Sequence, residues 1–290
     1  MHIPVLLNEV LKYLNPRAGE NFIDATVGDG GHSAAILKKT APDGKLLAID
    51  RDEESLMRAR VNLEKFSGRA VFANDSFGNI LAIARGSGIE PVNGILFDFG
   101  MSTSQLEDSG RGFSFRKDEI LDMRYDEKNS LTAEDIVNEY GEADLEKIFK
   151  EFGEERKSRA VAGAIVEARK RSRIKTTGEL AAIIGKIIRR RGRIDPATKI
   201  FQALRIETNG ELAEIEKALA DVPEVLAAGG RAAFISFHSL EDRLIKNWSK
   251  KSAEEKNIKI LNKKPITASA EEIKDNPKSR SAKLRVIEKI

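Results

Sequence analysis

Acidic residues follow three short apolar runs in the first hundred residues, and they could bind a cation or accept a proton. Asp24 ends the run NFID, Asp50 ends LLAID and Asp98 ends GILFD. A fourth run, AVFAN, leads to Phe77, whose ring could lie against a purine base. If these runs are parallel strands, their carboxyl ends meet at one edge of a sheet, where open α/β sheets bind ligands. The three acids could alternatively only cap the turns that follow them.

A glycine-rich turn separates the first apolar run from a helical stretch. The segment DATVGDGGHS contains Gly28, Gly30 and Gly31, and glycine lets the backbone approach a ligand closely. Amide groups at the start of the next helix then point at that ligand. The dinucleotide fingerprint needs glycine where Ser33 stands, and the phosphate loop ending in Gly-Lys-Ser/Thr is absent. A nucleoside cofactor with little or no phosphate therefore fits better than NAD or FAD.

The order of these features favours S-adenosyl-L-methionine as the cofactor. Asp50 lies 20 residues beyond Gly30, the distance at which an acid on the adjacent strand accepts hydrogen bonds from both ribose hydroxyls. Along the chain, the glycine turn follows the first strand, Asp50 ends the second, Phe77 follows the third and Asp98 ends the fourth.

The elements that must position these residues form a βαβ series up to about residue 100. The stretch EESLMRARVNLEKF has one apolar face, able to cover a sheet, formed by Leu56, Ala59, Leu63 and Phe66. Strand-like runs stop from about residue 106 to residue 211 and return at RAAFISFHS, IKIL and KLRVIEKI. We predict an α/β fold with a Rossmann-like, class I methyltransferase sheet formed by residues 1–107 and 212–290. An inserted α-helical domain spans residues 108–211, and its helices are expected to begin with Ser130 or Thr132 and with Thr177 as N-caps.

The insert has an uneven charge distribution. Residues 111–155 include 7 basic and 14 acidic side chains, whereas residues 156–205 include 15 basic and 3 acidic ones. Clustered positive charge suits a polyanion, although the two halves could instead neutralise each other. The cations that could bind phosphates form two clusters: Arg169, Lys170, Arg171, Arg173 and Lys175, and then Arg189, Arg190, Arg191 and Arg193.

Composition excludes several classes of protein. The chain of 290 residues has no cysteine, so it has no disulfide and no thiolate metal site. With only His2, His32 and His238 as histidines, no zinc site is expected. No apolar run approaches the roughly 20 residues that cross a bilayer, and the start of the sequence lacks the features of a signal peptide. A cytoplasmic protein without a membrane partner is expected.

Seven stretches spread from residue 2 to residue 286 closely resemble the bacterial small-subunit (16S) ribosomal RNA cytosine-N4 methyltransferase H family. They are HIPVLLNEV, DATVGDGGHS, LLAIDRD, SQLEDSGRGFSF with LDMRY, PATKIFQALRI, SFHSLEDR and NPKSRSAKLRV. The resemblance implies methyl transfer from S-adenosyl-L-methionine to N4 of one cytidine in the decoding region of small-subunit ribosomal RNA. It also implies that the RNA lies within an assembled or late-assembling 30S subunit. Asp195 and Thr208 depart from the histidine and valine usual in the family.

The resemblance also implies which residues form the site. The implied cofactor contacts are Gly30, Gly31, His32, Asp50, Phe77, Asp98 and Gln105, to which the glycine turn adds Asp24 and Gly28. In catalysis, Asp98 is expected to stabilise the charge that develops on the amine. His238 could receive a proton or be a hydrogen-bonded structural residue.

Other side chains could contact the cytosine. The residues that could hold its edge are Ser102, Ser236 and Asn209. Arg111, Phe113 and Phe115 could stack on an extruded base, or they could anchor the insert to the sheet. Two other functions stay open: methylation of a different amine, in DNA or a free metabolite, and a non-catalytic ribosome-associated factor that uses the fold to dock RNA.

Overall fold

The computed structural model of the chain describes residues 4–107, 109–189 and 195–290. It divides into two compact units, Met1–Ser102 with Leu212–Ile290 and Thr103–Glu211. The predictions for His2, Arg190, Arg191 and Arg193 lie outside the described residues.

The first unit is built on one eight-stranded sheet. Its strands are β1 (Asn21–Asp24), β2 (Leu46–Asp50), β3 (Ala70–Asn74), β4 (Val92–Asp98), β5 (Leu226–Ser236), β6 (Ile258–Ile260), β7 (Ile266–Thr267) and β8 (Lys283–Lys289). The spatial order is β3-β2-β1-β4-β5-β8-β6, and β7 also pairs with β8. The first five strands run parallel, whereas β8 is antiparallel to each strand it pairs with. The predicted Rossmann-like α/β fold is confirmed.

Helices follow or precede most of these strands. In chain order they are α1 (Leu7–Leu14), α2 (Gly31–Lys39), α3 (Glu53–Asn62), α4 (Ile80–Ser87), α5 (Thr103–Glu107), α6 (Ala133–Glu139), α7 (Glu142–Glu151), α8 (Ser158–Arg169), α9 (Thr177–Ile187), α10 (Ala197–Asn209), α11 (Glu211–Val225), α12 (Ser239–Glu254) and α13 (Ala270–Asp275). None of the helices among the described residues has the length and apolar composition to cross a membrane.

Successive residues of the central strands enter opposite cores because strand side chains alternate. Phe22 belongs to the cluster on one face of the sheet, and its neighbour Ile23 belongs to the cluster on the other face. Burial on both faces is the reason these strands are apolar throughout. The predicted apolar face of α3 is buried as well, but the helix ends at Asn62, so Phe66 lies in a separate 3₁₀ turn.

The helical unit contains α5 to α10 and the first residue of α11. Thr132 caps α6 as predicted, in a reciprocal capping box with Asp135. The prediction that Thr177 caps α9 is wrong by one residue. Thr176 is the N-cap because its hydroxyl accepts from the Glu179 N–H, while the Glu179 carboxylate accepts from the Thr176 N–H. The Thr177 hydroxyl instead donates to the carbonyl of Lys117.

Candidate active site

The strand order reverses between β1 and β4, and the last residues of these strands are Asp24 and Asp98. At such a switch point the loops leave the sheet in opposite directions and open a crevice for a ligand. Asp50 ends the neighbouring β2, and Phe77 follows β3 in a 3₁₀ turn. All four predicted residues therefore lie at carboxyl ends of parallel strands.

The glycine turn is held in place by hydrogen bonds to these strand ends. The Gly28 N–H donates to Asp50 Oδ2 at 3.0 Å, and the Asp98 N–H donates to Thr26 Oγ1 at 2.7 Å. Gly28 and Gly30 have φ angles of 51° and 82°, a region that favours glycine. The turn that was predicted from its glycines is thus fixed against both β2 and β4.

Packing gives a second reason for two of the glycines. A Cβ on Gly31 would lie 2.6 Å from Pro4 Cγ, and one on Gly30 would lie 3.2 Å from Leu63 Cγ. A Cβ on Gly28 would meet only Ser102 Cβ, at 4.0 Å. Gly30 and Gly31 are therefore required by the protein's own packing. Gly28 alone faces open space next to Ser102, as a close approach to a ligand requires.

Asp24 and Asp50 use their carboxylates within this turn. Asp24 Oδ2 accepts from the Ser33 hydroxyl at 2.6 Å, and Asp24 Oδ1 accepts from the Thr26 N–H at 3.3 Å. Asp50 Oδ1 accepts from the Asp52 N–H at 2.9 Å. Burial raises the pKa of each carboxyl to about 6, although these hydrogen bonds act in the opposite direction. Asp24 is 1% exposed, so its hydrogen bonds stabilise the turn from within the protein interior. Direct contact of Asp24 with the cofactor stays a prediction.

Asp98 lies where negative charges converge. Burial, with smaller contributions from the charges of Asp24 and Glu241, raises the pKa of its carboxyl to about 7, and a hydrogen bond from the Gly100 N–H acts in the opposite direction. The side chain keeps 21% exposure, so the carboxyl is reachable from solvent. A carboxyl with these properties can accept a proton near neutral pH.

His32, at the start of α2, faces Asp98. Its Nδ1 lies 3.9 Å from Asp98 Oδ2, and its Nε2 lies 2.9 Å from the carbonyl of Val5. Because a carbonyl only accepts, Nε2 carries a hydrogen. The segment that includes Val5 is itself held, since the Leu6 N–H donates to Glu272 Oε1 of α13 at 2.7 Å.

Phe77 belongs to a group of aromatic rings beside the strand end. Its ring lies edge-on to Phe97 at 6.0 Å and tilted against Phe99 at 5.5 Å, between centroids. Phe97 also stacks on Phe234 at 5.2 Å. Phe77 is half-buried, so part of its ring stays open. The neighbouring rings fix the orientation of the Phe77 ring. Its contact with adenine stays a prediction.

His238 is the N-cap of α12. Its Nδ1 accepts from the Glu241 N–H at 3.4 Å, and Glu241 Oε2 accepts from the N–H groups of Phe237 and His238. Nε2 lies 3.1 Å from Glu241 Oε1. Since the nitrogen lone pair is used by a backbone amide, the contacts favour the structural alternative for His238 over proton acceptance.

Glu241 was not predicted from the sequence. It is 1% exposed and its charge acts on Asp98. The spacing His238-x-x-Glu241, directly after a strand-like run, matches a capping box and could have indicated it.

Asn209, predicted to hold the base edge, forms structural hydrogen bonds. Its amide nitrogen donates to the carbonyls of Met123 and Arg205, at 2.7 and 2.9 Å, and its oxygen accepts from the Tyr125 N–H at 2.9 Å. The side chain therefore joins the segment around residue 124 to α10. The contact of Asn209 with the base stays a prediction.

The predicted stacking residues pack within the helical unit. Phe113 stacks on Tyr125 at 5.1 Å, and Phe115 meets Phe201 edge-on at 5.1 Å. Arg111 is buried and donates to the carbonyls of Arg124 and Tyr125. These contacts favour the anchoring role, but the residues anchor segments of the insert to each other.

The remaining predicted residues are placed as follows. Ser102 lies next to Gly28, as described above. Ser236 is fully buried at the end of β5, where its hydroxyl donates to the Lys283 carbonyl at 3.4 Å. Gln105 is buried on α5, and its carbonyl accepts from the Ser109 hydroxyl. Asp195 stands where the resembling family usually has histidine, and its Oδ1 accepts from the Ala197 N–H at the start of α10. Base and cofactor contacts of Ser102, Ser236 and Gln105 stay predictions.

Two residues of the first predicted phosphate-binding cluster, Lys170 and Arg173, are neutralised by ion pairs. Arg173 forms ion pairs with Glu134, Asp135 and Glu139, with N–O distances of 2.6 to 3.3 Å. Lys170 pairs with Glu167, and Arg169 donates to the carbonyl of Val137. The acidic half of the insert therefore pairs with this part of the basic half.

A positively charged nucleoside cofactor fits the crevice. Asp24, Asp50 and Asp98 have raised pKa values because they are buried, and the charges that act on Asp98 are negative. A sulfonium cation would lower this electrostatic cost, and Gly28 leaves room for a close approach. The sheet, the glycine turn and the strand-end acids thus define a Rossmann-like methyltransferase that uses S-adenosyl-L-methionine.

Comparison with known proteins gives the family. Residues 1–290 match the MraW methylase family, and the chain belongs to it. The ribosomal RNA small subunit methyltransferase H of Persephonella marina is 50% identical over 100% of this chain and 99% of its own length. The protein of the same name from Sulfurihydrogenibium sp. is 50% identical, with 98% of each chain covered. The solved structure of PH0851 has a TM-score of 0.50 at 14% identity, covers 99% of this chain and 47% of its own, and shows the fold alone.

Proposed function

We propose that the protein methylates the exocyclic N4 of one cytidine in the decoding region of small-subunit ribosomal RNA. Membership of the MraW methylase family over the whole chain supports the reaction class. The full-length relatives at 50% identity carry the name of a small-subunit ribosomal RNA methyltransferase, which supports the substrate. The single observation that carries the chemistry is Asp98, a reachable carboxyl at the switch point with a pKa of about 7.

The reaction requires an acceptor at the amine. When bound, S-adenosyl-L-methionine would supply an electrophilic methyl group to N4, and the electron pair of the carbon–sulfur bond would go to sulfur. The amine becomes positive and must lose one proton. Asp98 in its ionised form accepts a hydrogen bond from the amine, stabilises the developing charge and takes that proton.

The remaining residues hold this arrangement. The Gly28 N–H and the Thr26 hydroxyl tie the glycine turn to Asp50 and to the Asp98 backbone. Much of the rate should come from such fixed positioning, because a methyl transfer needs the two reacting atoms in line. Asp24 and Glu241 place negative charge around Asp98, and His32 Nδ1 lies opposite its carboxyl.

The assembled or late-assembling 30S subunit is the proposed form of the substrate, and the cytoplasm is the proposed location. The test uses ribosomal RNA from cells with and without the protein, analysed by mass spectrometry for N4-methylcytidine. Loss of one such residue is expected without the protein. An unchanged RNA modification profile would contradict the proposal.

Purified protein separates the alternatives. With radiolabelled S-adenosyl-L-methionine, methyl transfer is expected to 30S subunits or their RNA and not to DNA. Transfer to DNA alone would support the other amine substrate. Calorimetry that detects no cofactor binding would support the non-catalytic RNA-docking factor.

A further inference from the structure

Four exposed basic residues of the insert lie near one end of the α8–α9 pair. Lys157, the N-cap of α8, donates from Nζ to the carbonyl of Ile187, the last residue of α9, at 3.0 Å. This bond joins the start of one helix to the end of the other. Arg156 and Arg159 lie within two residues of Lys157, and Lys186 and Arg189 lie within two residues of Ile187.

These four cations are exposed and have no acidic partner among the described residues. All four side chains are exposed, and none takes part in an ion pair or hydrogen bond within residues 4–107, 109–189 and 195–290. Of the two neighbouring acids, Glu154 and Glu155, the second is only 12% exposed, and its Oε1 accepts from the Lys157 N–H. Arg173, in contrast to these four cations, pairs with three carboxylates.

We propose that Arg156, Arg159, Lys186 and Arg189 form a phosphate-binding surface for the ribosomal RNA substrate. We name these four residues the α8–α9 basic surface. The inference rests on the proposed function for the identity of the RNA. The surface binds the sugar–phosphate backbone and so positions the RNA without reading its sequence. The surface lies outside the predicted cluster at residues 169–175, in which Lys170 and Arg173 form ion pairs.

The test compares two fourfold variants of the full chain. The first is Arg156→Gln, Arg159→Gln, Lys186→Gln and Arg189→Gln. The control is Arg116→Gln, Lys128→Gln, Lys147→Gln and Lys150→Gln, which removes the same charge from exposed positions of the same unit. Binding of in vitro transcribed small-subunit ribosomal RNA is measured across a salt titration. Calorimetry of cofactor binding and circular dichroism check that both variants are folded.

The first variant should bind the RNA about tenfold more weakly or worse at low salt. Its slope of log K against log salt should fall by about 3, because each lost phosphate contact removes about 0.7 to 0.9. Methylation should show a raised KM for RNA with kcat retained. The control should keep the slope of the unmodified protein.

Equal losses in both variants, or an unchanged slope in the first, would overturn the inference while leaving the proposed function intact if methylation continues. Failure of the unmodified protein to bind or methylate the RNA would overturn both.

Discussion

His32 Nδ1 faces Asp98 Oδ2 across 3.9 Å, while His32 Nε2 donates to the carbonyl of Val5. The neutral imidazole therefore carries its hydrogen on Nε2 and presents the lone pair of Nδ1 to the carboxyl. The separation of 3.9 Å is too long for a hydrogen bond between the two side chains. Since the pKa of Asp98 is raised to about 7, its carboxyl gains and loses a proton near neutral pH.

Asp98→Asn should reduce kcat by roughly 100-fold or more, because an amide cannot take the proton from the methylated amine. KM for RNA should change little. Steady-state methylation of ribosomal RNA checks this. Asp75→Asn, at an exposed acid after β3, is the matched control. Near-normal turnover by Asp98→Asn would remove Asp98 from the chemistry.

The pH profile of kcat/KM should rise with pH and level off above about 7. The ionised form of Asp98 is the acceptor, and its pKa in the free protein is about 7. A bound sulfonium cation favours the ionised carboxylate, so the corresponding limb of kcat should lie at lower pH. Rates measured from pH 5.5 to 9 test both statements. A flat kcat/KM profile would contradict them.

The stability of the cofactor-free protein should fall as the pH rises from about 4 to 7. A raised pKa means that the folded state holds a proton that the unfolded state has released, so Asp98 costs about 1.4 kcal/mol per pH unit in this range. Asp98→Asn should make the dependence shallower, with the remaining slope due to Asp24 and Asp50. Urea unfolding at pH 5, 6 and 7 measures this.

Asp122 supplies a control of opposite sign for that experiment. Burial opposes the shift, but the hydrogen bonds and charge of Arg124 outweigh it and lower the pKa of Asp122. Its stabilisation is present above the unfolded pKa of about 3.9 and is lost only below it. Asp122→Asn should therefore destabilise the protein equally at pH 5, 6 and 7. A changed slope in this variant would contradict the assignment.

Asn209→Ala should destabilise the protein by about 1 to 3 kcal/mol, since it leaves the Tyr125 N–H and the Met123 carbonyl without their partner. Denaturant unfolding measures the loss, with the exposed Asn247→Ala as control. If stability is unchanged and only methylation falls, the expected contact with the base is supported.

Two glycine substitutions should have opposite effects on the free energy of unfolding. At Gly31 a Cβ would lie 2.6 Å from Pro4 Cγ, so Gly31→Ala should destabilise the fold. At Gly185, inside α9, a Cβ would meet nothing within 4 Å, so Gly185→Ala should stabilise it by about 0.5 to 1 kcal/mol. Thermal unfolding of both variants measures the difference. Effects of the same sign would contradict the packing around Gly31.

The sequence predicted the sheet and its strand-end acids because both depend on local patterns. A continuous apolar run that ends in Asp50 or Asp98 indicates a buried strand and its carboxyl end without knowledge of any distant residue. The α6 cap at Thr132 was predictable for the same reason.

The roles of Arg173 and Asn209 could not be predicted in this way. Arg173 is neutralised by residues more than thirty positions upstream, and Asn209 bonds to a segment more than eighty positions away. Which cation is paired, and which amide is free for a substrate, are decided by the tertiary fold. Composition predicted a basic surface, but the unpaired cations had to be found in the structure.

The bond from the Leu6 amide to Glu272 ties the start of the described chain to helix α13. Leu6 follows Val5, whose carbonyl accepts from Nε2 of His32, the residue opposite Asp98. A surface helix far along the chain, with no buried residue of its own, thereby helps to hold the segment that orients the His32 ring.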